Sequence, residues 1–308
     1  MLHSALNQDN GMPAPDLAAL LPSWELSLRA ERKSPATIKV YGDGVRRFLV
    51  WCDATDHMPE LGRRVVAEFV ADLLDAGAEP ATARSRYLSL RRFATWLVEE
   101  RELREDPLAG SKPPKLDAKV VPVLTEDRLR ALLSACEGPD LRDRRDEAIV
   151  RLMAETGMRA GEVIAMEVAD LDLKTGTAVV RRGKGGKGRT VPFGPRTGRS
   201  LDRYLRLRRT HRLAGTAALW LGDRGKGFTY YGLHSALKYR AEVAGLIGFH
   251  PHILRHTAAS RWLAAGGTEG GLMAVAGWAR RDMIDRYTKA TAEHRAAEEA
   301  RTLGLGDL

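Results

Sequence analysis

The chain has 308 residues, a length that predicts two domains at about 150 residues each. Apolar residues make up 44% of it, enough to bury a core, so a disordered or collagen-like chain is excluded. The 49 Lys and Arg residues outnumber the 40 Asp and Glu residues, which gives a formal net charge of +9 at pH 7. This charge predicts a polyanionic partner, with nucleic acid as the leading candidate and an anionic membrane surface as the lesser one.

The two cysteines, Cys52 and Cys136, lie far apart in sequence and outside any C-x-x-C pair. They exclude a disulfide-built scaffold and a cysteine zinc site, and they are typical of a reducing compartment. Residues 1–10 lack the apolar core of a signal peptide, and the sequence has no run of about 18 apolar residues. We therefore expect a cytoplasmic protein that does not bind membranes.

Four helical patterns follow residues 1–15, which are rich in Gly, Pro and Asn and predict a flexible tail. The first pattern, near residues 17–32, is interrupted early by Pro22, and the second opens at Ser34 with a proline in its first turn. Apolar positions recur at helical spacing in the second, third and fourth patterns. They are, respectively, Ile38, Tyr41, Val45, Phe48 and Cys52; Val66, Phe69, Val70, Leu73 and Leu74; and Ala83, Tyr87, Leu90, Ala94 and Leu97. Residues 16–106 are therefore predicted to form a compact all-α domain.

Basic residues and a linker mark the end of this domain. Four arginines leave the fourth helix away from its apolar positions and are candidates for contacts with nucleic acid: Arg84, Arg86, Arg91 and Arg92. Beyond the helix, residues 107–121 contain several prolines and no apolar period. This composition predicts a semi-extended linker.

The second domain is predicted over residues 122–287. It opens with Thr125 as a helix cap, and a further helix is expected around residues 146–156. Between Leu171 and Phe193 the pattern changes to three short strands in a meander, and the remainder is helical with breaks at Gly and Pro. The predicted fold class is mainly α with a small β-meander, in which a helical domain precedes a mixed α/β domain.

The segment T-G-M-R-A-G-E, residues 156–162, places Arg159 just after a glycine, at the start of a helix. A guanidinium beside the free backbone N–H groups of a helix N-terminus suits a phosphate. Glu162 lies three residues further on and can reach back to orient Arg159. Taken alone, such residues are more often a surface Arg/Glu pair.

The segment G-K-G-G-K-G-R, residues 183–189, joins two strands and carries Lys184, Lys187 and Arg189 as candidate phosphate or DNA contacts. Its glycines allow the backbone to approach a ligand closely. The segment lacks the spacing of a nucleotide-binding P-loop and leads into a strand rather than a helix. By itself, a lysine-bearing hairpin tip is also typical of a solvated turn.

The segment H-P-H-I-L-R-H-T, residues 250–257, places His252 and Arg255 three residues apart, on one face of a helix. A titratable imidazole beside a fixed cation suits proton transfer and charge neutralisation in phosphoryl chemistry. His256 is expected to point elsewhere, as a packing or capping residue. Zinc is disfavoured because no acidic residue lies between the histidines as it does in H-E-x-x-H.

Trp278 and Tyr287 lie in the last motif, A-G-W-A-R-R-D-M-I-D-R-Y-T-K. An isolated tyrosine on a late helix is far more often a core or surface residue than a nucleophile. Its free pKa of about 10 leaves roughly one phenol in a thousand ionised at neutral pH, a deficit of about 4 kcal/mol. Two arginines and a base are sufficient to overcome that deficit.

The order and spacing of these motifs are specific even though each is weak alone. In chain order they are R-x-x-E, a lysine hairpin, H-x-x-R, and then Trp and Tyr near the end. With these motifs the chain resembles the tyrosine recombinase (phage integrase) family from about Leu17 to Lys289. The resemblance implies a SAM-like core-binding domain over residues 16–106 and a catalytic domain over residues 122–287.

The resemblance also implies a role for each motif residue. It assigns Arg159 and Arg255 to the scissile phosphate with Glu162 in support, Lys184 to the departing 5′-oxygen, His252 as proton acceptor and Tyr287 as nucleophile. The family frequently has a second histidine where this chain has Trp278, although the Cre type carries tryptophan there. An indole N–H can donate to a phosphate oxygen but takes no proton, so this departure removes an acid/base role without arguing against activity.

The family pattern further implies that DNA is cut and rejoined through a 3′-phosphotyrosyl intermediate. No cofactor and no metal are expected, because one phosphodiester replaces another. The implied partners are double-stranded DNA attachment sites, three further copies in a homotetramer on DNA, and possible accessory DNA-bending proteins; free protein is expected to be a monomer or weak oligomer. Residues 288–308 are expected to form a tail that docks on a neighbouring subunit or frays. The expected location is the bacterial cytoplasm, at the nucleoid.

Several functions remain open within and outside this family. Only about fifteen residues precede the first helix, too few for an arm-binding domain. The residue sequences of the segments M-R-A-G-E, A-G-W and D-R-Y-T-K differ from those usual in Xer recombinases and favour a minimal two-domain integrase of a phage or mobile element. A Xer-like cellular recombinase for dimer resolution is the alternative. From another class, a non-catalytic architectural DNA-binding protein is disfavoured because the expected catalytic side chains are present. A type IB topoisomerase would share similar chemistry without partner choice.

Overall fold

The computed structural model describes residues 14–116, 122–181, 188–281, 283, 284 and 287. The chain divides between residues 119 and 120 into two compact units, each with its own hydrophobic core. Most of the expected N-terminal tail and all of the expected C-terminal tail, residues 288–308, lie outside the described residues. No helix in the described ranges is both long and apolar enough to cross a bilayer.

The first unit consists of the four predicted helices. They are α1 (Leu17–Ala30), α2 (Pro35–Ala54), α3 (Arg63–Asp75) and α4 (Pro80–Glu99). Ser34 caps α2, as predicted, by accepting a 3.1 Å hydrogen bond from the backbone N–H of Thr37. Helix α1 continues through Pro22, contrary to the expected interruption, because Leu21, Trp24 and Leu28 bury its inner face on both sides of that proline.

Helices α2 and α4 form the centre of this unit. Phe48 on α2 and Leu90 and Phe93 on α4 are fully buried. The two helices cross closely at Gly44, where an added Cβ would lie only 2.3 Å from the Cβ of Ser89. Glycine is therefore required at this crossing, and it sets how tightly the helical unit packs.

The first half of the predicted linker belongs to this first unit. Leu108 is fully buried in its core, and the hydroxyl groups of Tyr87 and Ser111 are hydrogen bonded. Arg84 donates a 2.7 Å hydrogen bond to the carbonyl of Pro114. Residues 107–114 thus pack on the helices, although the prolines predicted a linker there. A single buried leucine produces no periodic pattern, which explains the difference.

The second unit is mainly helical around a small sheet, which confirms the predicted fold class. Its helices are α5 (Glu126–Ser134), α6 (Leu141–Thr156), α7 (Ala160–Ile164), α8 (Pro195–Arg208), α9 (Tyr230–Val243), α10 (His252–Ala264) and α11 (Glu269–Ala276). Its strands are β1 (Leu171–Asp172), β2 (Thr177–Val180) and β3 (Arg189–Pro192), with short 3₁₀ turns at Val168–Asp170 and Asp223–Gly225.

The sheet is the predicted meander. Its strands pair antiparallel in the order β1–β2–β3, and Ala178 of β2 lies opposite Val191 of β3. Both residues are fully buried, so one face of the sheet packs on the core.

Helix α6 is the central element of the second unit. Ile149, Leu152 and Met153 on this helix are all fully buried. Asp146, also on α6, accepts a 2.9 Å hydrogen bond from Nε of Arg240 on α9. This buried ion pair connects α9 to α6 and so fixes one wall of the site described next.

Candidate active site

The turn between α6 and α7 presents Arg159 at a helix N-terminus, as predicted. Gly157 ends α6 with a φ of +65°, a left-handed conformation that favours glycine. Arg159 is then the N-cap residue of α7. Glu162 accepts a 2.9 Å hydrogen bond from the backbone N–H of Arg159 and a 2.8 Å bond from its Nη1, so the carboxylate orients this guanidinium.

Arg255 lies on α10 and is only 2% exposed. Its Nη2 donates a 2.8 Å hydrogen bond to the carbonyl of Ala276, and its Nη1 donates to the carbonyl of Gly157. Burial, followed by the nearby positive charge of Arg159, lowers the pKa of Arg255 to about 10. The group is still a cation at neutral pH, and the acceptors of its hydrogen bonds are neutral carbonyls rather than a carboxylate.

These two arginines border one cavity of about 470 Å³. His252 also lines it and is exposed. The remaining polar side chains of the wall include His250, the first residue of the H-P-H-I-L-R-H-T segment, and Tyr230 and His234, which the sequence motifs had not singled out. The cavity therefore combines fixed positive charge with imidazoles, as an oxyanion-binding site for proton transfer requires.

An aromatic stack connects Tyr287 to this cavity. The rings of Trp278 and Tyr287 are parallel within 14° at a centroid distance of 5.5 Å. Cζ of Arg255 lies 5.1 Å from the centroid of the Trp278 ring. Tyr287 is 9% exposed, and its ring packs with Trp278 and Ile284 in a small cluster of its own.

His256 is a buried residue that packs against other rings, as expected, but it does not point away from His252 and Tyr287. Its Nδ1 is hydrogen bonded to the hydroxyl of Tyr287, and its ring meets that of His252 edge-on, with centroids 4.5 Å apart. His256 follows His252 by four residues, so one turn of α10 brings both imidazoles to the same side. The four-residue spacing was a signal in the sequence for the contact between the two imidazoles, but not for the contact between His256 and Tyr287.

Arg189 also differs from its expected place at a DNA surface. Its side chain is 11% exposed, and its two terminal nitrogens donate to the two carboxylate oxygens of Glu162 at 3.0 and 2.7 Å. Burial by itself would raise the pKa of Glu162, but the hydrogen bonds from Arg189 and Arg159 outweigh it and hold the pKa below its ordinary value. Nothing in the sequence distinguished Arg189 from the lysines before it.

The other basic candidates are distributed as follows. Lys184 and Lys187 lie outside the described residues. In the first unit, Arg84 and Arg86 are half-buried, and Arg91 and Arg92 are exposed. Arg92 also forms a 3.7 Å ion pair with Glu31. Within the described ranges, no three His, Cys, Asp or Glu side chains cluster as a metal site would require.

Comparison with known proteins agrees with this site. Residues 122–294 match the model of the phage integrase family, and residues 20–104 match the phage integrase N-terminal SAM-like domain. Tyrosine recombinase XerC of Pseudomonas aeruginosa is 30% identical over 277 residues, which cover 88% of this chain and 89% of that protein. The chain therefore belongs to the phage integrase family. It is an enzyme, a tyrosine site-specific recombinase.

Two solved structures share the fold. The XerH recombinase bound to a palindromic difH substrate has a TM-score of 0.71 and 18% identity, covering 92% of this chain and 84% of that one. The Tn1549 transposon integrase in complex with circular intermediate DNA has a TM-score of 0.69 and 17% identity, covering 88% of this chain and 94% of that one.

Proposed function

We propose that this recombinase cuts and rejoins double-stranded DNA at attachment sites, with Tyr287 as the nucleophile. The observation that carries the proposal is the joint placement of Arg159, Arg255 and His252 on one cavity, with Tyr287 connected to it through Trp278. A phosphodiester seated between the two guanidiniums would receive charge-assisted hydrogen bonds from both.

The local charge supports phosphate binding. Arg159 and Arg189 contact Glu162. Arg255 interacts electrostatically with these two guanidiniums and with the carboxylate. Three guanidiniums therefore surround one carboxylate, which leaves an excess of positive charge in a partly dehydrated site. Such preorganised charge stabilises the additional negative charge of a pentavalent phosphorus more strongly than it would in water.

Trp278 provides a further donor. Its indole Nε1–H is buried, and none of the described residues accepts a hydrogen bond from it. A buried donor without an acceptor is costly. A non-bridging phosphate oxygen would supply that acceptor, which supports a role for Trp278 in holding the scissile group.

The proposed reaction is a transesterification. The Tyr287 oxygen forms a bond to phosphorus while the bond from phosphorus to the 5′-oxygen breaks. His252 accepts the phenolic proton and Lys184 protonates the departing 5′-oxygen. The products are a 3′-phosphotyrosyl linkage and a free 5′-hydroxyl. Attack by the 5′-hydroxyl of a partner duplex reverses these steps and rejoins the strands without ATP, since the bonds exchanged are nearly equal in free energy.

We propose integration or excision of a phage or mobile element as the biological role, because of the residue sequences of the M-R-A-G-E, A-G-W and D-R-Y-T-K segments. The 30% identity to XerC over most of both chains favours dimer resolution as a second candidate. Two recombining duplexes require four active-site tyrosines, so we propose a homotetramer on DNA, and accessory DNA-bending proteins as possible partners. The tail at residues 288–308 would dock on a neighbouring subunit, and the basic candidates Lys187, Arg84, Arg86, Arg91 and Arg92 would contact the duplex.

Covalent capture tests the chemistry and finds the target sequence in the same experiment. Wild-type protein is mixed with a library of nicked duplexes of random sequence and with fragmented bacterial DNA, and SDS-resistant complexes are sequenced. One recovered motif is expected, with no adduct from Tyr287→Phe and an unchanged adduct from the control Tyr239→Phe, a residue of α9 that is 54% exposed. Band shifts without adduct would indicate an architectural protein. Adducts without a motif, together with relaxation of supercoiled DNA, would indicate a topoisomerase.

A further inference from the structure

Arg189 links three separate segments that border the candidate active site. It begins β3, opposite Val180 of β2. Its terminal nitrogens form the bidentate pair with Glu162 of α7, and its Nε donates a 2.7 Å hydrogen bond to the carbonyl of Val275 on α11. One side chain therefore joins the base of the β2–β3 hairpin to the elements that carry Arg159 and Trp278.

Glu162 depends on Arg189 to hold Arg159 in place. Each of its two oxygens accepts from both arginines: Oε1 from a terminal nitrogen of each, and Oε2 from Arg189 and from the backbone N–H of Arg159. The fork geometry of two parallel N–H···O bonds fixes the plane of the carboxylate. That plane in turn determines the direction of the Arg159 guanidinium.

The turn before Trp278 rests on the same guanidinium. Gly277 ends α11 with a φ of +63°, and an added Cβ there would lie about 3 Å from three guanidinium atoms of Arg189, at 2.9, 3.0 and 3.1 Å. A glycine adopts this backbone conformation without strain and leaves the Arg189 guanidinium in place. The position of Trp278, the next residue, is therefore coupled to that of Arg189.

We propose that Arg189 is a positioning residue of the recombination reaction and that it makes no contact with DNA. It aligns Arg159 through Glu162 and supports the turn that carries Trp278. The inference rests on the proposed function, because it concerns the same phosphate site. The charge of Arg189 is already matched by Glu162, so a DNA phosphate would have to displace the buried bidentate pair to reach the Arg189 guanidinium.

Two measurements on the full chain separate this role from DNA binding. The probe is the nicked duplex recovered by covalent capture from wild-type protein. The affinity and its salt dependence are measured by fluorescence anisotropy, and the rate of adduct formation is measured in single turnover. Arg189→Gln is expected to form adduct about 100-fold more slowly, because misalignment of a reacting group by about 1 Å costs that much. Its affinity and salt slope are expected to match wild type.

The pH profile provides a readout that general destabilisation would not move. The groups that face Glu162 are Arg159 and Arg189, with Arg255 nearby. Without Arg189, burial is opposed by fewer hydrogen bonds and the pKa of Glu162 rises, so adduct formation by Arg189→Gln should begin to fall at a higher pH than in wild type. In a Glu162→Gln background, Arg189→Gln should cost little more, because both changes break the same link.

Matched variants complete the experiment. Arg181→Gln removes an ion-paired arginine just after β2 that contacts Glu167 and Asp170, and it should leave the adduct rate unchanged. If Arg189→Gln does not fold, Arg189→Lys decides, since an ammonium contacts Glu162 without the bidentate fork. An intermediate rate with an upward-shifted acid limb supports the proposal.

Three results would overturn the inference. A wild-type rate and pH profile in both Arg189 variants would exclude a positioning role. Weaker binding with a salt slope reduced by about one would make Arg189 a phosphate contact instead. Failure of wild-type protein to form any adduct would overturn the proposed function itself, and this inference with it.

Discussion

The hydroxyl of Tyr287 is hydrogen bonded to Nδ1 of His256, a residue 31 positions earlier in the chain. His256 in turn packs edge-on against the ring of His252, which lines the cavity. The candidate nucleophile is therefore held beside one imidazole and within a short relay of a second. We therefore propose different tasks for the two histidines: His256 holds the phenol, and His252 takes part in the reaction.

Alanine substitution should separate these tasks. His256→Ala removes a partner of the Tyr287 hydroxyl, and we expect adduct formation to slow by about 10- to 100-fold through loss of alignment. His252→Ala removes the proposed proton acceptor and should cost about 100- to 10,000-fold. Single-turnover adduct formation measures both rates. An unaltered rate in His256→Ala would show that its contact with Tyr287 is incidental.

Glu162 should make the stability of the second unit depend on acid pH. Because its folded pKa lies below the ordinary value of 4.5, its stabilising contribution is complete above pH 4.5 and is lost as the pH falls through the folded value. Glu162→Gln should lower the free energy of unfolding at pH 7 by about 3 kcal/mol, since two arginines lose their buried partner. Urea denaturation at pH 7 and below pH 4 should show this difference shrinking in acid.

Glu242→Gln is the control for that measurement, because the Glu242 side chain is 63% exposed. It should match wild type at both pH values. A difference for Glu162→Gln that stays constant with pH would contradict the assignment of a lowered pKa to Glu162.

Leu108 should contribute to the stability of the first unit despite its place among linker-like residues. Leu108→Ala opens a cavity in a fully buried position and should cost about 2 to 5 kcal/mol. Leu116→Ala, at a residue that is 52% exposed, should cost almost nothing. Hydrogen exchange of the α4 amides in the full chain reports the effect, and equal protection in the two variants would place residue 108 outside the cooperative unit.

Both thiols should be unreactive in the folded protein. Burial raises the pKa of Cys52 to about 11 and that of Cys136 to about 12. The thiolate fraction at pH 8 is then at least about 100-fold below that of a free cysteine. A disulfide reagent such as 5,5′-dithiobis(2-nitrobenzoic acid) should label neither until denaturant is added, whereas Ser23→Cys, at an exposed position, should react at once. Rapid labelling of the native wild type would contradict this burial.

Local patterns in the sequence were sufficient for the elements and for contacts within one helical turn. Apolar residues three and four apart determine the amphipathic helices because that spacing defines one face. The same geometry places Glu162 against Arg159 at a helix start, and His252 and Arg255 on α10. The motif order then sufficed for the family.

Tertiary structure decided the partners of the site residues. Arg189 meets Glu162 across 27 positions, and His256 meets Tyr287 across 31; Leu108 reaches the core without any pattern around it. Sequence spacing determines which side chains share one face of an element, but it does not determine which other element that face will contact. That choice depends on how the strands, turns and helices pack together, so a buried arginine and a solvated one look alike until the fold is known.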